Sequence, residues 1–298
     1  IDDHLNVNIS GYQVVRNNED NKTTPTTFPY IKYSAGTHLI GQTKYNQKFS
    51  FYNIFRDVST IDHAQQQQKV YHNLSTDYEF YRLKSKINFK SELISQFYNI
   101  ENKNISGNNY SGTYARIFPM SGLLLETPLI NRNNNIIITP KLSLILNGSQ
   151  PSSDKVSNEE STNNAYSLLN YQSLNRYTGT DKLDNSKRIN YGVDIGKDSL
   201  TFSLSQSYEF DVNSNYNKDI GLKDYMSDLL GGTKYDGLNN DLSHNFRFNV
   251  DQGLIKSQSL TYKNASKIGN SGLAYTQERV ENNSILENGS ETLDINFS

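Results

Sequence analysis

The residue types that most often carry enzyme chemistry are present in this chain, but they are not grouped along it. No two histidines have the His-x-His or His-Glu-x-x-His spacing that would place both imidazoles on one metal ion. The chain contains no cysteine, no Gly-x-Ser-x-Gly nucleophile elbow and no Walker lysine loop. The sequence therefore predicts no catalytic residue, no metal site and no cofactor. The scattered histidines are His4, His38, His63, His72 and His244.

One segment has the oxygen-rich composition of a calcium site. Every second residue carries a side-chain oxygen, as in the first half of a calcium-binding loop. Tyr216, however, stands where that loop needs glycine, and Leu222 stands where it needs glutamate. A polar loop is therefore the favoured interpretation. The oxygen-bearing residues are Asp211, Asn213, Asn215, Asn217 and Asp219.

The elements that would position any site are strands, because apolar and polar residues alternate over long stretches. In the stretch 188–210, two alternating segments are separated by a short break at 196–198. The same alternation returns at 242–250. Side chains of a strand point to opposite faces in turn, so each strand has an apolar face and a polar face. The predicted apolar face contains Tyr191, Val193, Phe202, Leu204, Phe246 and Phe248.

The connections between the predicted strands are alternately long and short from residue 136 onwards. Long segments at 147–187 and 211–240 alternate with tight turns at 196–198 and 251–253. This rhythm is typical of outer-membrane β-barrels, whereas a soluble sandwich has short connections at both ends. At about 20 to 22 residues per strand and connection, the chain would hold roughly 14 strands. Further strands are predicted at 114–118 and 123–130, with a turn at 131–135, and Gln65–Gln68 is predicted to be a loop.

Composition is compatible with this interpretation. The 298 residues have a formal net charge of -2 and a mean hydropathy of -0.71. No stretch reaches the roughly 18 apolar residues of a membrane-spanning helix. A barrel strand exposes only every second side chain to lipid, so a polar average is expected. The charge balance and the absence of a long basic block argue against a nucleic-acid partner.

Several segments, in order, resemble the barrel domain of one family of outer-membrane proteins. Tyr166–Asp181 and Arg188–Val193 resemble its loop pattern L-x-x-x-x-x-S-L-N-R-[FY]-x-G-x-D and the strand pattern N-Y-G that follows. Further matching pieces are Ala115–Leu123, Ser205–Asp211 and Gly221–Gly231. The family is that of the LPS-assembly proteins, LptD, also called organic solvent tolerance proteins.

The resemblance implies a fold, a function and a set of partners. The fold would be all-β, a transmembrane antiparallel up-and-down β-barrel, with residues 1–298 as part of one very large barrel domain. We expect the N-terminal periplasmic domain and the terminal strands to lie outside this chain, which begins with isoleucine. The family inserts lipopolysaccharide (LPS) into the outer leaflet of the Gram-negative outer membrane. The implied partners are LPS, outer-membrane lipid, an LptE-like plug lipoprotein and a periplasmic LPS-bridge protein.

Six charged residues are the candidates for the lumen and its loop. Arg or Lys facing lipid at mid-bilayer costs about 2 to 4 kcal/mol, so charges in the polar rows should point into the lumen. Asp194, Glu209 and Arg247 could there guide saccharide and phosphate groups, or could be ordinary solvated charges. Arg176, Asp181 and Arg188 belong to the family-like loop and the start of the next strand. We expect them to hold the loop in the barrel mouth through ion pairs rather than to contact lipid head groups.

Three alternatives remain open from the sequence. An outer-membrane barrel enzyme of protease or phospholipase type would need histidine with aspartate or serine at the outer rim. A general porin-like channel would share the strands and the loops. A secreted adhesive β-protein would remain soluble without detergent. The facing assignment itself predicts that Leu204→Arg blocks membrane assembly and that Ser205→Arg is tolerated.

Overall fold

The computed structural model describes residues 3–11, 21–149, 154–212, 221–223, 225–266, 269–282 and 285–297. Apart from a short 3-10 helix at Asn21–Thr23, the regular structure within these ranges is β. No helix in them has the length and apolar character needed to cross a membrane. The strands are β1 (His4–Gly11), β2 (Thr26–Ser34), β3 (His38–Ile40), β4 (Thr43–Phe55), β5 (Gln66–Arg82), β6 (Ser85–Ile105), β7 (Asn108–Glu126), β8 (Leu129–Asn131), β9 (Ile136–Asn147), β10 (Lys187–Lys197), β11 (Leu200–Glu209), β12 (Leu222–Lys223), β13 (Met226–Ser227), β14 (Leu229–Asp236), β15 (Asn240–Asn249), β16 (Leu254–Ser266), β17 (Gly269–Asn282) and β18 (Ile285–Phe297).

All strands belong to one antiparallel sheet with up-and-down topology, as predicted. Leaving aside the short β3, β8, β12 and β13, the 18 strands reduce to 14, which agrees with the expected number. These long strands pair in the order β1, β2, β4, β5, β6, β7, β9, β10, β11, β14, β15, β16, β17 and β18. Within the described ranges β1 and β18 do not pair with each other, so the sheet is not closed.

Residues 154–186 fold over one face of the sheet and define its inside. We call this segment the covering loop, the face beneath it the inner face, and the opposite face the outer face. On β9, Leu142 on the outer face is 43% exposed, whereas its neighbour Ser143 on the inner face is 1% exposed. On β10, Arg188 and Asn190 are likewise buried and Tyr191 is exposed. Burial is therefore the reverse of that in a soluble sheet, whose apolar face is the buried one.

Small apolar clusters lie between the covering loop and the sheet. The largest places Leu174 and Leu183 of the loop against the inner faces of β5 to β9. The wall residues of this cluster are Tyr71, Ile94, Phe118, Met120 and Ile145. Charged residues are prominent among the largest fully buried side chains, and these are Arg176, Arg188, Arg247, Lys69 and Lys256. Such groups must be paired when buried, so the ion pairs determine how the loop is held.

One predicted connection was wrong, because the segment 211–240 contains a strand. The expected long loop is interrupted by β14, which pairs with both β11 and β15. Gly231 and Gly232 interrupt the alternation of apolar and polar residues in β14, and that alternation is what predicted the other strands. Gly231 lies beneath the ring of Phe246, which a Cβ at 2.0 Å would force to move. The extra strand also places the turn at 250–253 at the same edge of the sheet as the covering loop.

Two predictions upstream also need correction. The strands expected at 114–118 and 123–130 are one continuous strand, β7, followed by the short β8. The expected loop Gln65–Gln68 instead begins β5, where Gln67 is fully buried and bonds to the covering loop at Ser157. The inner face of this sheet carries polar side chains, so a strand such as β5 can have the polar composition that is otherwise typical of a loop. The two-residue turn before β6 is formed by Leu83 and Lys84, both with positive φ.

Candidate functional site

The covering loop is held in shape by hydrogen bonds between its own side chains and backbone. Asn158 and Asn170 each close a tight turn by accepting a bond from a backbone N–H three residues away. Gly179 has φ of +71° and lies against the backbone of Glu160, whose carbonyl oxygen would be 2.2 Å from a Cβ at that position. The glycine of the family-like pattern is therefore needed for two stretches of the loop to approach each other.

The first ion-pair site joins Lys69 on the wall to Asp181 and Glu160 of the loop. The Nζ atom of Lys69 lies 2.7 Å from Asp181 Oδ1 and 2.7 Å from Glu160 Oε1. The second oxygen of Asp181 accepts the backbone N–H groups of Glu159 and Glu160 at 2.8 and 3.0 Å. With Lys69 fully buried, these charge-assisted bonds compensate for its lost hydration.

Aromatic and guanidinium groups of the wall complete this first site. The rings of Tyr52, Tyr71 and Tyr98 surround the Lys69 ammonium, with centroids 5.2, 5.6 and 5.7 Å away. The hydroxyls of Tyr52 and Tyr98 also donate to Asp181 at 3.2 Å each. Arg116 donates to the backbone carbonyl of Asp181. Ring faces attract a desolvated cation, so the cage favours a charged lysine at this position.

The second ion-pair site fixes the end of the loop to β10 and β11. Arg176 pairs with Asp184 and with Glu209, at 2.7 Å in each case. Arg188 lies 3.3 Å from Asp184, and Ser186 donates to Glu209 at 2.6 Å. Burial alone would raise the pKa of Asp184, but the two arginines and their hydrogen bonds hold its pKa below the usual 3.8. Asp184 is therefore held as the carboxylate that both arginines require.

The third ion-pair site lies near the edge of the sheet from which the loop enters. Arg56 donates from both terminal nitrogens to the two carboxylate oxygens of Glu159, at 3.0 and 2.5 Å. His63 Nδ1 lies 3.4 Å from the same carboxylate. Burial would raise the pKa of Glu159, but the hydrogen bonds from His63 and Arg56 lower it below 4.5. The bidentate geometry is the one by which arginine recognises carboxylate and phosphate groups.

The predicted charged residues fall into two groups in the structure. Arg176, Asp181, Arg188 and Glu209 all belong to the buried ion pairs between the loop and the wall. The remaining two lie apart from them. Asp194 pairs with Lys141 at 2.5 Å in a half-exposed position, and Arg247 on β15 is buried beside Asp228 at 3.4 Å. That any of these residues contacts LPS stays a prediction.

The predicted lipid-facing residues lie on the outer face. Tyr191 and Phe202 are 39% and 38% exposed, although large apolar side chains in a soluble sheet would be covered. Val193, Leu204, Phe246 and Phe248 are half-buried among their outer-face neighbours. The ring of His244 lies beside that of Phe246, with centroids 5.8 Å apart. Contact of this face with lipid is not itself observed and stays a prediction.

Most of the wall residues that bind the loop are not among those predicted from the sequence. A signal was present in β5, where Gln67, Lys69, Tyr71 and Asn73 occupy every second position and all face inward. Glu159 and Glu160 lie before the family-like segment Tyr166–Asp181 and were not predicted as site residues. The calcium-like segment lies mostly outside the described residues, since 213–220 are not among them. In the residues that are described, no three acidic or histidine side chains lie close enough together to hold a metal ion.

The fold and the reversed burial define a class of protein: an antiparallel sheet of the outer-membrane barrel type, with a polar inside plugged by a loop. The family model for LptD, described as LPS transport system D, matches residues 4–298, and the chain therefore belongs to this family. The resemblance noted from the sequence is thereby confirmed. Members of this family are components of LPS transport and of outer-membrane biogenesis. A search of curated proteins returned no match to the chain.

Proposed function

We propose that this chain forms part of the wall of an outer-membrane barrel that inserts LPS into the outer leaflet. The observation that carries the proposal is the reversed burial of the sheet, with apolar side chains exposed outside and polar ones enclosed. In hydrocarbon every backbone polar group must be paired, and an antiparallel sheet meets this need once its two edge strands are paired or covered. The remaining part of the barrel would complete the pairing of β1 and β18.

The inner face of β15 to β18 is suited to the sugar chain of LPS. Residues 165–169 of the covering loop and this face together line a cavity of about 410 Å³. Small hydroxyl side chains line the cavity on the wall side: Ser257, Ser259, Thr276 and Ser290. Hydroxyls exchange hydrogen bonds with sugars and with water at similar strength, so a saccharide can slide along them. The acyl chains would leave sideways into the membrane.

Partners follow from the same proposal. LPS and outer-membrane lipid would contact the inner and outer faces respectively. An LptE-like plug lipoprotein and a periplasmic LPS-bridge protein would act with the complete protein, whose periplasmic domain and terminal strands would join this domain. The six charged residues would belong to the lumen and its loop.

Depletion of the full-length protein in its own cell tests the proposal. Newly made LPS is pulse-labelled, and its distribution between inner and outer membranes is measured after fractionation. We expect labelled LPS to accumulate in the inner membrane while other outer-membrane lipids arrive normally. A porin-like channel would instead reduce solute uptake and leave LPS export unchanged. That outcome would overturn the proposal.

A further inference from the structure

Two cations, Arg56 and Lys69, and the imidazole of His63 meet loop carboxylates beside an open cavity. The cavity of about 510 Å³ is lined by Tyr52 of β4, by Arg56 and His63 of the connection between β4 and β5, and by Glu159 and Glu160 of the covering loop. Lys69 lies behind Glu160, with which it pairs at 2.7 Å. A ligand in this cavity would therefore touch Arg56 and His63 together with both loop carboxylates, whereas it would reach Lys69 only after Glu160 had moved.

We propose that Arg56, His63 and Lys69 form a binding site for anionic groups of the transported glycolipid, and that Glu159 and Glu160 occupy it in the resting state. The inference rests on the proposed function. It assigns a phosphate or carboxylate of the ligand to the same three side chains that now hold the loop. The ligand class is a saccharide carrying such groups.

The chemistry of Arg56 supports exchange of one anion for another. Its two terminal nitrogens face the oxygens of Glu159 as a fork, a geometry that fits a phosphate equally well. The Arg56 Nε atom donates to the carbonyl of Thr23 at 3.1 Å, which fixes the plane of the guanidinium from the side away from the carboxylate. The fork therefore remains oriented when the carboxylate leaves.

The way in which the loop is attached also favours exchange. Glu159 and Glu160 lie in an irregular stretch of the loop rather than in a strand, so their displacement breaks no ladder of the sheet. A displaced carboxylate regains hydration in a watery lumen, which offsets part of the lost ion pair. Glu160 is 30% exposed at its side chain even in the resting position.

Binding of rough LPS to the full-length protein in detergent tests the site, with dephosphorylated LPS and inorganic phosphate as parallel probes. Glu159→Gln should tighten LPS binding about tenfold, because a bidentate carboxylate no longer competes for Arg56. Arg56→Gln should weaken it by a similar factor. The exposed pair Glu79 and Lys86, 3.0 Å apart at the other edge of the sheet, provides matched controls, and Glu79→Gln should change nothing.

Folding of each variant is verified by heat-modifiable mobility on a gel, and Arg56→Lys serves if Arg56→Gln does not fold. Lysine keeps the charge without the fork, so it should retain only part of the affinity. If inorganic phosphate competes with LPS, the site recognises the phosphate group. If LPS binds and inorganic phosphate does not compete with it, the sugar contributes to binding. Unchanged LPS affinity in Glu159→Gln would overturn the inference, and so would equal binding of LPS and dephosphorylated LPS with no competition by inorganic phosphate. If the inference fails but the same variants still export LPS, the proposed function is unaffected.

Discussion

Lys69 and Asp181 are 112 positions apart in the chain, yet their charged atoms lie 2.7 Å from each other in the interior. The lysine belongs to the fifth strand, and the aspartate belongs to the loop between the ninth and tenth. Their pair shows that the loop is attached to a wall built much earlier in the chain. It also makes the attachment testable by single substitutions.

Lys69→Met should release the loop from the wall. Removing the lysine leaves the buried Asp181 carboxylate with its hydrogen bonds but without its cation, a loss that costs about 3 to 5 kcal/mol for a buried pair. A cysteine at Ser50, which is buried on the inner face of β4, would report the release through faster thiol labelling. The printed chain contains no other cysteine to interfere. Lys86→Met, at an exposed pair, is the control, and equal labelling of the two variants would contradict the account.

Acid should release the loop as well. The pKa of Asp184 and that of Glu159 are both lowered in the folded protein. A lowered pKa contributes stability above the unfolded value of about 4, and this contribution is lost as the pH falls through the folded pKa. A spin label on a cysteine at Leu169, which is 97% exposed, should therefore gain mobility below about pH 4. A label at Leu83, at the opposite edge, should show no such transition.

Gly179→Ala should disturb the loop without removing any charge. Alanine at positive φ costs about 1 to 2 kcal/mol, and its Cβ would in addition collide with the carbonyl of Glu160. Labelling of the Ser50 cysteine should again accelerate. Gly41→Ala isolates the conformational cost, because Gly41 has φ of +61° and no atom within 4 Å of its Cβ position. If both variants behave alike, close packing at Gly179 is not what holds the loop.

Leu204→Arg should block assembly into the membrane, since an arginine facing lipid costs about 2 to 4 kcal/mol at mid-bilayer. The sequence suggested Ser205→Arg as the tolerated control on the inner face. Ser205 is only 3% exposed there, so an arginine would not fit and the variant is unsuitable as a control. Ser259→Arg replaces it, since Ser259 lines the open cavity. Heat-modifiable mobility measures assembly. Tolerance of both arginines would mean that the outer face does not meet lipid.

Sequence alone could predict what depends on local pattern. Alternation identified β9, β10, β11 and β15, and the family-like segment drew attention to Arg176 and Asp181. What it could not predict depends on contacts distant in sequence. Lys69 was missed because its partners are set by the register of the wall and the path of the loop. β14 was missed because Gly231 leaves space for Phe246 and Gly232 leaves space for Leu168, and glycine carries no apolar signal.

The central claim is that the outer face touches acyl chains while the inner face touches water. The printed chain has no tryptophan, so a single one can be placed on either face of a full-length protein that carries no other. Phe202→Trp and Thr276→Trp, on the outer and inner faces, are reconstituted in bilayers and their fluorescence is measured. We predict quenching of the first by brominated acyl chains and of the second by aqueous acrylamide. Quenching of the Phe202→Trp variant by acrylamide alone would contradict the account.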